Sequence, residues 1–167
     1  MSPSNALTGT GSLQRWLALA GFLAATFLVA GVSSAFTASA VPTWYATIDK
    51  PAFNPPNWIF APVWTTLYCL MAVAAWLVWQ RPSSGLRTRA LVAFWIQLAL
   101  NFAWSFLFFG QHAIGVAFAE IVLLWLAILV TCVLFFRLSR AAGWMFVPYL
   151  LWVSFASVLN FAIWRLN

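Results

Sequence analysis

Nothing constrains this chain more than five long stretches that carry no charge or only one. They are Trp16–Ala40, Ile59–Trp79, Ala90–Gly110, Ile114–Phe136 and Trp144–Trp164, and Glu120 is the single charged side chain within them. Each is longer than the roughly 20 apolar residues that carry a helix across a bilayer. Backbone polar groups in hydrocarbon must be satisfied internally, which leaves helices as the solution for separate spans of this length. The sequence therefore predicts an all-α integral membrane protein, a bundle of five transmembrane helices. Charged residues are 6% of the 167, against about 25% in an ordinary soluble domain. That is too little polarity to cover a surface in water.

The spans occupy nearly the whole chain, so a single transmembrane domain over 13–167 is expected, with helices at about 14–40, 57–80, 88–110, 113–137 and 143–166. Residues 1–12 are rich in Ser, Thr, Gly and Asn without an apolar period, and read as a disordered tail. Arg15, the following apolar run and Ala38-Ser39-Ala40 resemble a secretory signal with its cleavage site. The run, at about 25 residues, is too long for a signal core of 7–15, so a retained first helix is expected. Its small residues Gly21, Ala25, Gly31, Ser33, Ser34 and Ala35 suit close packing between helices.

Several function classes are excluded by what is missing. The net charge of +6 comes from arginines scattered singly at helix ends, with no basic stripe, so nucleic acid is not the partner. Cys69 and Cys132 fall inside apolar spans and read as small buried hydrophobes rather than a disulfide. Asp49, Glu120 and His112 are the only acids and histidine. A dyad of Asp49 with His112 lacks a nucleophile motif, so no catalytic residue is assigned. Nor does His112 have neighbours suited to a metal site. Glu120 marks either a proton or ion path, or else a protonated carboxyl bonded to a neighbouring helix or one near enough the interface to hydrate; with no basic partner in any span the second reading is preferred. Arg15, Arg81, Arg87, Arg89, Arg137 and Arg140 fall on one side of the predicted bundle, Lys50 and Arg165 on the other. That asymmetry puts the N-terminus in the cytoplasm of a bacterial cell membrane.

The aromatic residues remain. Between Trp44 and Tyr68 stand Pro51, Pro55, Pro56 and Pro62, which keep 51–56 out of regular helix and make a stiff loop over the next helix. Trp64 and Tyr68, four apart, share a face below that loop. Gln97, Asn101 and Trp104 share a face of the third helix, and Trp152, Ala156 and Asn160 one of the fifth. Amides in hydrocarbon need partners, so the Asn101 face should look inward. Twelve tryptophans can serve as an interfacial belt, but Trp64 and Trp152 lie inside their spans. With Tyr68, Asn101 and Trp104 they can enclose a flat apolar ligand. Ala99 and Ala103 form a small-xxx-small pair, a signal for helix association.

Three blocks carry a resemblance: Trp44-Tyr45-x4-Lys50-Pro51-x-Phe53-x-Pro55-Pro56-x-Trp58 with Pro62-Val63-Trp64-x-x-Leu67-Tyr68; Gln97 to Asn101 and Trp104 with Phe108-Phe109-Gly110; and Pro148-Tyr149-Leu150-x-Trp152 with Leu159-Asn160-x4-Arg165. Over about residues 20–167 the chain resembles the tryptophan-rich sensory protein/translocator protein family. The resemblance implies five helices and binding of porphyrins such as protoporphyrin IX or haem, of sterols, and of benzodiazepine-type drugs in animal members. It also implies a homodimer packed through the third helix, where Ala99 and Ala103 lie. Carried over, the ligand pocket falls on Trp44, Phe53, Trp64, Tyr68, Asn101, Trp104, Trp152 and Ala156. The implied role is transport, sensing or stress response; the alternative is a light- and oxygen-dependent porphyrin-degrading enzyme, and a third is a sterol or lipid transporter. Two departures stand out. Ala52-Phe53 replaces a tryptophan pair of many bacterial members, and Phe161 replaces the tyrosine of a sterol motif.

Overall fold

The computed structural model describes residues 7–167, helical in all its regular elements. Five long helices follow one another up and down: α1 (Leu7–Ala40), α3 (Phe60–Trp79), α4 (Gly85–Ser105), α5 (Ile114–Leu138) and α6 (Arg140–Leu166), with a one-turn α2 (Trp44–Thr47) between the first two. All five long ones have the length and apolarity to cross a membrane. Even α3, the shortest at 20 residues, reaches about 30 Å at 1.5 Å per residue.

The helix boundaries differ from the sequence expectation where local caps decide them. α4 begins at Gly85, because the Ser84 hydroxyl accepts the Arg87 N–H at 3.2 Å. α6 begins at Arg140 by the same device, Ser139 accepting from Ala142. A side-chain oxygen that satisfies an orphan N–H starts the helix earlier than the apolar pattern does. At its far end α4 continues into a π-helical turn over Phe106–Gly110. Of the tail expected over 1–12, residues 1–6 lie outside the described residues, and the chain is already helical from Leu7. Extending a nucleated helix costs far less than starting one, so the polar lead-in joins the span.

The core is aromatic and close-packed. Phe94, Phe135, Phe146 and Tyr149 are fully buried, with Phe135 and Phe146 edge to face at 4.9 Å. Close approach of helices is achieved at Gly115 and Gly143, where an added Cβ would run into the Trp164 and Phe136 rings. Gly21 and Gly31, read as close-packing positions on α1, have nothing within 4 Å of where a Cβ would stand. There the small residues leave space instead.

The two ends of the bundle are chemically different. At one, Trp76 Nε1 donates to the Arg15 carbonyl at 2.9 Å, and Arg87 Nη1 donates to the Arg81 carbonyl at 2.8 Å. At the other, the proline loop is tied down by polar groups. Lys50 Nζ donates to the Tyr45 and Ile48 carbonyls, both at 2.7 Å, and the Tyr45 hydroxyl donates to Asn54 Oδ1 at 2.8 Å. Burial pushes the Tyr45 hydroxyl above the usual phenol range, with the Asn54 bond pulling partly the other way, so it stays a donor. Asn167 bridges to this loop: its Oδ1 accepts from the Asp49 N–H and its Nδ2 donates to the Asp49 carbonyl, each at 3.0 Å. His112 turns the chain between α4 and α5 at φ 54°, and its ring lies flat on Trp44 at 4.2 Å.

Candidate ligand-binding site

Beneath the loop lies a cavity of about 620 Å³ walled by α1, α3, α6 and the end of α4. Five of the eight residues expected at a ligand site line it: Trp64, Tyr68, Trp104, Trp152 and Ala156. The indoles of Trp64, Trp104 and Trp152 are half-buried, each keeping part of its ring uncovered. They are held by other rings: Trp64 tilted on Tyr68 at 5.6 Å, Trp104 stacked on Phe108 at 5.2 Å, Trp152 edge-on to Phe60 at 5.9 Å. Such rigid aromatic walls with a few polar groups are the usual make-up of a small-molecule site.

The other three stand outside the lining. Asn101 is buried behind Tyr68, accepting the Tyr68 hydroxyl at 2.6 Å and donating to the Tyr149 hydroxyl at 3.1 Å. Its amide is spent on two helices, and it reaches a ligand only through Tyr68. Trp44 belongs to the roof, stacked on His112 and edge-on to Phe108 at 5.6 Å. Phe53 is 49% exposed on the loop and meets Phe155 edge to face at 6.4 Å. The inward face read on α6 holds together: Trp152, Ala156 and Asn160 all line the cavity. Asn160 accepts from Trp104 Nε1 at 3.0 Å and donates to the Ile114 carbonyl at 3.1 Å, joining three helices.

The contribution of α1 was missed by sequence reasoning. Phe27, Gly31, Ser33, Ser34 and Thr37 form one whole wall. The signal was present in its small residues, but small side chains serve equally to bring helices together or to keep them apart from a void. Glu120 is buried at 8% exposure, and neither carboxyl oxygen meets a protein donor or acceptor. Of the two forms expected for its carboxyl, the hydrogen bond to a neighbouring helix is not formed. Phe161 lies on the outer face of α6 against Phe118.

Fold and cavity together define a class: a multi-pass integral membrane protein that keeps an aromatic cavity inside a five-helix bundle. Comparison with known sequences makes this specific. The TspO/MBR family profile matches residues 22–165, and the chain belongs to that family. It is 40% identical over 151 residues to the tryptophan-rich protein TspO of Archaeoglobus fulgidus, covering 90% of this chain and 97% of the relative. It is 43% identical over 125 residues to protein CrtK of Rhodobacter capsulatus, covering 74% and 78%. With the translocator protein of Homo sapiens it shares 37% identity over 155 residues, 91% of each.

Proposed function

We propose that the protein binds a porphyrin, protoporphyrin IX foremost, in the cavity under the first loop, and that this binding serves tetrapyrrole transport, sensing or a stress response. One observation carries the reading: a cavity of about 620 Å³ walled by the rings of Trp64, Tyr68, Trp104 and Trp152. Its volume falls within the roughly 300–1,000 Å³ of small-molecule pockets, and flat faces on several sides favour a flat, aromatic occupant. The names of two relatives, translocator protein and tryptophan-rich sensory protein, agree with a transport or sensing role.

The donor set favours a metal-free macrocycle over haem. Among the described residues lining the cavity none is His, Cys or Met, the side chains that most often ligate haem iron. Tyr68 and Tyr45 offer hydroxyls, but each already donates its proton, to Asn101 and Asn54. Porphyrin carboxylates need donors or water. They belong at the loop end, where Ser34 lines the cavity and Lys50, half-buried over the Tyr45 ring at 5.0 Å, supplies a positive field.

Titration of the purified protein with protoporphyrin IX, in darkness and under illumination, tests the proposal. Saturable quenching of tryptophan fluorescence in the dark is the expected result; absence of saturation would remove it. Loss of porphyrin absorbance that needs both light and oxygen would move the protein to the degrading-enzyme reading. The homodimer is proposed on a separate observation. Val92, Ile96 and Ala99 are exposed on α4, with Ala103 half-buried one turn on, an outward apolar stripe that narrows to small residues.

A further inference from the structure

A second concavity lies on the outside of the bundle. Between α3 and α6 runs an open groove of about 600 Å³, bounded by Pro62, Thr66 and Leu70 on one helix and Pro148, Leu151 and Phe155 on the other. Its polar side-chain groups are the Thr66 hydroxyl, spent on the Pro62 carbonyl at 2.9 Å, and the single indole N–H of Trp152. No charged group lines it. An occupant with several hydrogen-bonding groups would leave most of them unpaired in hydrocarbon, which is costly. Both walls are membrane-spanning helices, so the medium at the groove is bilayer hydrocarbon.

A proline stands on each wall of the groove. Pro62 sits in the first turn of α3, where a missing N–H costs nothing. Pro148 lies inside α6, where it removes the bond to the Trp144 carbonyl and its ring crowds the preceding turn. Both prolines line the groove.

The back wall is shared. Trp152 lines both this groove and the inner cavity. Phe155, another groove residue, packs on Trp152 at 5.7 Å and on the loop residue Phe53 at 6.4 Å. Whatever fills the groove therefore presses on the partition of the cavity and on the foot of the loop. We propose that the groove is a seat for one acyl chain of a bilayer lipid, held against Trp152 and Phe155. This stands apart from the identity of the cavity ligand.

The test uses the full chain in vesicles of phosphatidylcholine bearing a photoactivatable diazirine along one acyl chain. Adducts mapped by mass spectrometry are expected several-fold more often on 62–70 and 148–155 than at Leu123 or Val130, which are exposed on α5. Leu70→Trp, and separately Leu151→Trp on the lipid-facing side, are expected to drain adducts from the groove while leaving those at Leu123. Helicity is checked for each, and because Leu151 is 65% exposed its replacement leaves the core untouched. A second readout is the ¹⁹F resonance of fluorotryptophan at position 152, assigned by its loss in Trp152→Phe. It is expected to move when long-chain lipid is exchanged for short-chain lipid in the parent and to stay still in the groove-filling variants. Adducts spread evenly over all exposed helix faces, or enrichment that survives both folded variants, would overturn the proposal.

Discussion

Tyr68 and Asn101 are joined by a 2.6 Å hydrogen bond between α3 and α4, and Asn101 passes the connection on to Tyr149 of α6. Three helices thus meet on one amide in the interior of the bundle, directly behind the cavity wall. Asn101→Leu removes both bonds and leaves two buried hydroxyls without their partner. A buried group left unpaired costs about 1–3 kcal/mol, although interhelical bonds in membranes are often worth less, about 0.6 kcal/mol. A lower thermal unfolding midpoint in detergent, with helicity retained at room temperature, is the expected outcome. An unchanged midpoint would mean that the tyrosines find other partners.

Trp152 and Ala156 divide the cavity from the outer face of α6. Ala156→Leu adds bulk where a ring would lie and is expected to weaken protoporphyrin IX binding by about 1–3 kcal/mol, the usual cost of overpacking. Trp152→Phe is expected to reduce quenching of protein fluorescence. Cys132, buried with its thiol toward the Gly143 carbonyl at 3.7 Å, is remote from the cavity, and Cys132→Ala should alter neither reading. Affinity in Ala156→Leu equal to the parent would move the site elsewhere.

The glycines separate two kinds of space. Gly143→Ala drives a methyl into the Phe136 ring, so a loss of about 1–3 kcal/mol is expected from overpacking. Gly21→Ala meets nothing within 4 Å and should gain about 0.5–1 kcal/mol, the helix penalty of glycine relative to alanine. Thermal unfolding of the two variants in the same detergent checks the sign of each.

For the dimer, Ala99→Leu combined with Ala103→Leu is expected to lower the dimer fraction by blocking close approach of α4 to its copy. Crosslinking in bilayers measures it. Dimer content equal to the parent would put the contact on another helix.

Arg81, Arg87, Arg89, Arg137 and Arg140 are expected to keep their end of the bundle in the cytoplasm. In intact cells a membrane-impermeant thiol reagent should reach Thr47→Cys and not Ser84→Cys. The opposite pattern would invert the topology.

Much of this was legible in the sequence for a plain reason: charge is nearly absent from membrane spans, so its gaps mark the five helices directly. The inward faces of α4 and α6 were readable because amides in hydrocarbon have few places to go. The fate of Asn101 was not. A periodic pattern says which face an amide is on, but whether it meets a ligand or a tyrosine depends on what a second helix brings to the same depth. The wall from Phe27 to Thr37 was hidden by the ambiguity of small residues, which serve contact and void alike. Trp44 and Phe53, matched to the family pocket by position, sit in the roof and on the loop because the prolines turn the chain between them and the cavity.

The paired bonds between Asn167 and Asp49 make the proline loop part of a closed circuit. Residue 49 is fastened to the end of α6, whose Ile163 carbonyl also accepts from the Asn167 amide at 2.9 Å. The segment over the cavity is thus a hoop clasped at its midpoint, not a flap hinged at one side. Uncovering the cavity requires either unfastening that clasp or tilting the last turn of α6 along with it. Movement of the segment over the cavity is thereby coupled to a helix that also carries Trp152 and Ala156.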